Sequence, residues 1–464
     1  MSAQRAKRAG SSAGAGERAP ARPHSDPGSA RGREPDPDGA GVREARGRPA
    51  RRQTAAPKRG LPPGAKLKDS ALASYHLIWV TALLLLIAGL CMMLSVSVAT
   101  AVTGGDKFAY IRQQGITAVV GILLLIGISR IDYRRIRAPS VLFVVFVMFS
   151  LLLIHIPGVS QSEGGSASWI PLGPLTFQPS EFAKLAVVLA AVQLLSDRRR
   201  QPGDFASFMW PFGAIGLGAC GLVALEGDLG TAIIIAGLVL GLLWLAGMKG
   251  RHWALVAGTG AAAALALTFS SHERMSRVLS FLDPSADPQG SSFQLSQSLV
   301  ALGRGGWFGV GPGESVQKFQ YLPKAHTDMI YAILGEEFGL LGAGLVILLF
   351  AVFALACWQL ARRCTDPVGR YLIAGCGMLV TLQAVVNIGG VTGALPLTGV
   401  PLPFISYGRN SLIVMLMAVG LILSVSRFAP LRPARALTEA HGNVTHIDRR
   451  RRDRGARRSS VGAG

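Results

Sequence analysis

The groups in this sequence best suited to chemistry are an aspartate at the mouth of an apolar helix, an acid–base pair inside another, and a row of cations in one polar stretch. Asp328 closes the polar stretch 271–328 and directly precedes the apolar run 329–356. A carboxylate at that depth is costly unless it is paired or functional. Held away from bulk water, it can take a proton from a hydroxyl as a general base. His326 stands two residues before it. Asp328, Tyr331 and Gly335 fall on one helical stripe, where Gly335 is expected to leave space beside the carboxylate. The plainer alternative is a first-turn acid favoured by the helix dipole. Glu181 and Lys184 share a helix face at i,i+3 spacing, either as a helix-end ion pair or as a cation kept charged beside a polar cavity. Asp228 reads first as the N-cap of the run that follows it, with Glu226 on the same tight turn. Of Glu336 and Glu337, one is expected to face the bundle interior and accept hydrogen bonds. Arg274, Arg277, Arg304, Lys318 and Lys324 lie in or beside the polar stretch, as a solvated surface or as cations that hold an anion such as a phosphate. Gln294, Gln297 and Ser298 could hydrogen-bond sugar or amide groups. The glycines from Gly303 to Gly313 lack Walker spacing, and there is no HExxH, GxSxG or dinucleotide fingerprint.

The elements that must position these groups are membrane spans. Half of the 464 residues are hydrophobic (50%) and only 16% are charged, which excludes an ordinary soluble domain. The net charge of +21 suggests nucleic-acid binding at first sight. Much of the Lys and Arg, however, lies in the tails and in short turns between apolar runs, so positive-inside topology explains it better. The chain is expected to be an all-α, polytopic integral membrane protein with about ten transmembrane helices of near the ~20 residues a bilayer requires. The runs are 77–98, 109–128, 138–156, 180–196, 206–225, 229–247, 253–270, 329–356, 371–389 and 406–426. Arginine clusters at every second junction, Arg130 to Arg137, Arg198 to Arg200, and Arg362 to Arg370, place both termini in the cytoplasm. That topology puts 157–179, 390–405 and the large loop 271–328, between the seventh and eighth helices, outside the cell. The transmembrane domain is read as 71–428, and 1–70 and 429–464 as disordered basic cytoplasmic tails too poor in large apolar side chains to fold. The first apolar run begins too far into the chain for a secretory signal. The five cysteines form no CxxC pair, so neither a disulfide framework nor a zinc site is expected.

Seven short motifs carry a resemblance. They are FQPSEFAKL at 177–185, DLGTA at 228–232, FLDPSADPQG at 281–290, QSLVALGRGG at 297–306, SVQKFQYLPKAHTD at 315–328, ILGEEFG at 333–339 and PLPFISYG at 401–408. In this order they resemble the FtsW/RodA/SpoVE (SEDS) family, and SVQK followed by YLPKAHTD resembles its cell-division branch, FtsW, most. The resemblance covers about 77–428. Three positions depart from the family's usual pattern: Ser168 stands where an arginine is common, Gly227 where a proline is, and Arg409-Asn410 where the family commonly reads Gly-Ser.

The resemblance implies a peptidoglycan glycosyltransferase in the bacterial plasma membrane, its active site facing outside. It would polymerise lipid II, a disaccharide-peptide on undecaprenyl pyrophosphate, for septal cell-wall synthesis. A class B penicillin-binding protein and other divisome membrane proteins would be its partners. On the same resemblance Asp328 matches the family's essential aspartate, Lys184 and Glu181 its cavity ion pair, and Trp169 its outer-loop tryptophan. Substrate contacts are expected from these and from Gln297, Arg304, Lys318, Lys324, His326 and Ser406. A divalent cation, Mg or Mn, could assist the pyrophosphate, though no ligand cluster in the sequence requires one. The competing readings are a lipid II flippase, which needs an inward-open path but no base, and a non-enzymatic scaffold of the division machinery, which would tolerate Asp328→Asn.

Overall fold

Lipid offers the backbone no hydrogen-bond partner, so an apolar run that enters it winds into a helix and satisfies its own N–H and C=O groups. Each of the ten runs falls on a helix in the computed structural model. The structure describes residues 65–102, 108–163, 166–173, 175–195, 209–283, 292–319, 321–323 and 325–431. Of the tails read at 1–70 and 429–464, residues 1–64 and 432–464 lie outside the described residues, as do the turn with Gly104 and Asp106, the cluster Arg198 to Arg200, Lys324 and Asp287.

The helices are α1 (Ala65–Val102), α2 (Ala109–Arg130), α3 (Arg137–Ile154), α4 (Pro179–Leu195), α5 (Ala214–Leu225), α6 (Leu229–Leu245), α7 (Gly250–Phe269), α8 (His272–Leu282), α9 (Phe293–Gly305), α10 (Ile330–Arg363), α11 (Pro367–Val391) and α12 (Arg409–Phe428). A π-turn, Met209–Gly213, leads into α5. Helix α1 begins at Ala65, inside the stretch read as tail. Among the described residues seven helical spans are long and apolar enough to cross a bilayer: Ala73–Ser97, Ala109–Arg130, Tyr133–Ile154, Gly250–Phe269, Ile330–Arg363, Pro367–Val391 and Arg409–Phe428. Helices α4 and α6 have 17 residues each, short of the ~20 that cross unaided. Leu123, Leu142 and Phe149 are largely exposed, which suits a surface that meets lipid rather than water. The protein is thus an all-α, multi-pass membrane protein. Helix α12, buried along most of its length, packs against α2, α11, α1 and α4 and forms the centre of the bundle.

Two polar stretches that the sequence presents as loops have structure of their own. Residues 161–177 form a small antiparallel meander of β1 (Gln161–Glu163), β2 (Ser166–Leu172) and β3 (Leu175–Phe177). Gly173, at φ +65°, turns β2 back onto β3. The stretch 271–328 contains α8 and α9. One face of α9, with Leu295, Ser298, Ala301 and Gly305, is buried. A side chain at Gly305 would lie 2.0 Å from the Gly335 carbonyl oxygen, so glycine is what lets α9 close on α10.

Helix α10 is broken at Gly339, where φ is +68° and ψ is −167°. The groups freed by the break pair with the turn segment after α9. Leu340 N–H donates to Gly306 O (2.9 Å) and Leu341 N–H to Trp307 O (3.2 Å). In the other direction, Val310 N–H donates to Glu336 O (3.0 Å) and Gly311 N–H to Glu337 O (3.1 Å). Irregular backbone inside a membrane protein is tolerated where protein satisfies it, as here.

Candidate active site

Asp328 sits in the turn that enters α10 and is 5% exposed. Its backbone carbonyl accepts from Asn387 Nδ2 on α11 at 2.8 Å, and its Oδ1 accepts from Thr327 Oγ1 at 3.0 Å. Gly399, at φ +70°, borders the carboxylate: a Cβ there would lie 3.7 Å from Asp328 Oδ2. His326 packs its ring on Tyr110 (4.6 Å between centroids) and on Tyr407 (5.8 Å), and its carbonyl accepts from Tyr407 N–H at 2.9 Å. Burial lowers its imidazole pKa.

The expected stripe from Asp328 to Gly335 does not form. Asp328 precedes the first helical turn, so helical spacing does not carry its side chain onto the α10 face. Gly335 faces α9, where a Cβ would meet Leu302 Cδ2 at 2.4 Å; the space it leaves serves helix packing and not the carboxylate.

The turn 401–408 lies beside this group. Phe404 is buried with φ +67°, a conformation costly for a side-chain-bearing residue. Hydrogen bonds hold it there: Leu402 N–H donates to Ser406 Oγ (2.7 Å), Ser406 N–H to Leu402 O (3.0 Å), and Gln114 Nε2 to Ser406 O (3.1 Å). The Phe404 carbonyl oxygen lies 2.4 Å from where a Cβ on Gly89 would be, so glycine on α1 gives the turn its room. Ser406 therefore shapes the turn with the same oxygen that was expected to meet substrate.

Lys184 is fully buried on α4. Its ammonium lies 2.8 Å from Glu181 Oε2 and donates to Gln383 Oε1 at 2.6 Å. Gln383 Nε2 in turn donates to Pro401 O (2.9 Å) and Ser411 Oγ (3.1 Å), so the ion pair is joined to the turn 401–408 through one amide. Ser180 Oγ reaches Asp228 Oδ2 at 3.4 Å. Asp228 caps α6, its Oδ1 accepting from Thr231 N–H at 3.0 Å, as its place before the apolar run suggested. Next to it Glu226 is buried with both carboxylate oxygens lacking a hydrogen-bond partner. Burial, and then the charge of Asp228, push its pKa up to about 8.

The remaining expected contacts are dispersed. Lys318 is buried with its ammonium 2.9 Å from Glu337 Oε1, 2.9 Å from Ser95 Oγ on α1 and within bonding distance of Gly313 O. Glu336 accepts from Ser315 Oγ and from Val316 and Gln317 N–H, and lies 3.6 Å from Arg304 Nε. Both glutamates are therefore interior, where one was expected. Arg304 remains 45% exposed. Gln297 on α9 and Trp169 on β2, opposite Gln161, are half-buried. Ser298 binds Leu295 O and Val391 O and ties α9 to α11. Arg409 Nη2 donates to Thr176 Oγ1 at 3.0 Å, so its guanidinium points to the β-meander. Ser168 is fully buried and its hydroxyl has no partner. Among the described residues no three His, Cys, Asp or Glu side chains come together in a metal-binding group.

Gln383 and Asn387 were not singled out from the sequence. The signal was there: two amides at i,i+4 inside an apolar run need interior partners.

The chain matches the family model for FtsW, RodA and SpoVE proteins, described as "Cell cycle protein", over residues 75–430. It is 39% identical over 354 residues to the stage V sporulation protein E of Bacillus subtilis (strain 168), covering 76% of this chain and 97% of that one. It is 40% identical over 341 residues to a probable peptidoglycan glycosyltransferase FtsW of Nitrosococcus halophilus (strain Nc4), covering 73% and 88%. Among solved structures it superposes on a chain of a peptidoglycan synthase complex that coordinates polymerization and crosslinking, with a TM-score of 0.62, 27% identity and coverage of 75% and 97%. Its fold also matches the rod shape determining protein RodA of Thermus thermophilus, with a TM-score of 0.56, 24% identity and coverage of 75% and 95%.

Proposed function

The chain belongs to the FtsW/RodA/SpoVE family, and on that premise we propose that Asp328 is the general base of a glycosyl transfer that polymerises lipid II during septal wall synthesis. The protein is a peptidoglycan glycosyltransferase of the cell membrane. The observation that carries the mechanism is a carboxylate 5% exposed, its backbone tied to α11, with Oδ1 bonded to Thr327 and Oδ2 bordered by a glycine.

In the proposed reaction Asp328 takes the proton of the acceptor sugar's 4-hydroxyl. The oxygen attacks the anomeric carbon of the donor sugar, whose bond to the lipid pyrophosphate breaks. The transition state is oxocarbenium-like, as in glycoside hydrolysis. One displacement inverts the anomeric carbon. Of the cations expected to meet the leaving pyrophosphate, Lys184 and Lys318 are buried against carboxylates, whereas Arg304 is partly exposed. Among the described residues Arg304 is therefore the cation we assign to that charge, beside Lys324, which lies outside them, with Lys184 holding the turn 401–408 through Gln383. Both termini lie in the cytoplasm and Asp328 faces outside, on the arginine asymmetry of the turns. The partner is a class B penicillin-binding protein, which supplies crosslinking beside polymerisation.

The test is purified protein with and without that partner, given lipid II, with glycan strands resolved on a gel. Strands longer than the input disaccharide are expected. Lipid II moved across vesicles without any polymer would replace this reading with a flippase. Neither polymer nor transport in the complete complex would leave a scaffold.

A further inference from the structure

Asn387 lies on α11 one turn after Gln383 and is 4% exposed. Its Nδ2 donates to two backbone carbonyls, Asp328 O at 2.8 Å and Val400 O at 2.7 Å. Two carbonyl acceptors can be served only by the NH2 end of an amide, so chemistry fixes which way the side chain lies. That leaves Oδ1 buried with no hydrogen-bond partner. An unpartnered buried acceptor costs stability. A leucine, branched at the same carbon though larger, brings no such acceptor, but it leaves both carbonyls without their donor. What the amide contributes is its two donors.

Those donors act on the two segments that enclose the Asp328 carboxylate. The carbonyl held at 328 belongs to the peptide unit leading into α10, so fixing it fixes the direction in which the Asp328 side chain leaves the backbone. Val400 directly follows Gly399, the residue that borders Asp328 Oδ2. One amide therefore clamps 328 to 400 from behind. Gln383 makes a similar bridge one turn away, but there both ends of the amide are used, Oε1 by Lys184 and Nε2 by Pro401 O and Ser411 Oγ. The pair forms two adjacent rungs on one face of α11, one serving the ion pair and the other the aspartate.

Resting on the reading of Asp328 as the base, we infer that Asn387 is a positioning residue for the reaction: its amide holds the Asp328 carboxylate in register with the turn 399–401 without touching substrate. Displacement of a reacting group by about 1 Å can lower a rate about 100-fold.

The experiment uses the full chain with its penicillin-binding partner and compares wild type with Asn387→Leu, Asn387→Ala and Asn387→Asp. For Leu and Ala, kcat is expected to fall about 100-fold while KM for lipid II stays within about twofold. An aspartate can donate only while protonated. The activity of Asn387→Asp relative to wild type should therefore rise as pH falls from about 8 to about 5.5, while the ratio for Asn387→Leu stays flat. Hydrogen exchange followed by mass spectrometry should show faster exchange across 325–332 in Asn387→Leu, with α12 unchanged. Exchange across 325–332 equal to wild type overturns the inference whatever the activity. So does an unchanged kcat per folded molecule, or a loss confined to KM. If wild type itself makes no polymer, the base reading fails, and the exchange result alone decides whether Asn387 holds the 328 segment.

Discussion

Among the described residues two lysines are buried in this bundle, and their surroundings differ in a way that separates catalysis from architecture. Lys184 pairs with Glu181 one helical turn away on the same helix, and its second partner, Gln383, leads on to the turn 401–408. Lys318 pairs with Glu337, two residues before the break in α10, with Ser95 of α1 as a third member. The first pair costs little ordering, because α4 already holds both side chains on one face. The second joins three separate segments beside the Gly339 break, whose freed backbone groups bond to 306–311. A buried charge that ties segments together is expected to matter most for stability, and one that feeds a functional turn most for rate.

The largest effect should come from Glu337→Ala. It leaves Lys318 buried without its carboxylate, a change that costs roughly 3–5 kcal/mol. Thermal melting in detergent should show a large fall in Tm, and faster proteolysis at 306–341. A fall no larger than that of a surface substitution would break the comparison.

Gln383→Leu should cost less stability, about 1–3 kcal/mol, since Lys184 keeps Glu181 while Pro401 O loses its donor. Its lipid II turnover should nevertheless fall further than that of any variant of equal Tm outside the site. If turnover simply tracks Tm across such variants, the Lys184 network is architecture too.

An effect confined to high pH concerns Glu226, the buried acid with no hydrogen-bond partner beside the cap of α6. Its pKa stands at about 8 against an ordinary 4.5, so the folded state binds the proton more tightly than the unfolded chain does. Stability is then lost as pH rises from the unfolded value to the folded one, and the loss is complete above about 8. Glu226→Gln, which cannot ionise, should raise Tm at about pH 8.5 and leave it unchanged at about pH 4.5. An equal shift at both pH values would show that the acid is not the source.

The contrast between the two lysines also marks what was legible in the sequence. Spacing revealed Glu181–Lys184 because both partners sit on one regular helix. It could not reveal Lys318–Glu337, because that pair depends on how a broken helix folds back against a loop. The apolar runs located the helices, since hydrophobic length is a local property. The β-meander at 161–177 escaped because its strands are short and partly polar, and the helices within 271–328 because a polar stretch between spans gives weak periodicity. Gly335 misled because the register of a helix was carried past its first turn, to a residue outside it. Asp328 was legible as a residue and not as a geometry: the Asn387 bond comes from another helix, 59 positions along the chain.

The central claim is that Asp328 accepts the proton of the attacking hydroxyl, and Asp328→Asn tests it most directly. Asparagine keeps the shape of the side chain but has no basic oxygen. Single-turnover polymerisation of lipid II would be measured for wild type and variant in complex with the partner, after equal Tm values confirm folding. The account predicts that lipid II binding persists and that strand formation falls by about 100-fold or more, the range a general base contributes. Strand formation at the wild-type rate by Asp328→Asn would contradict it.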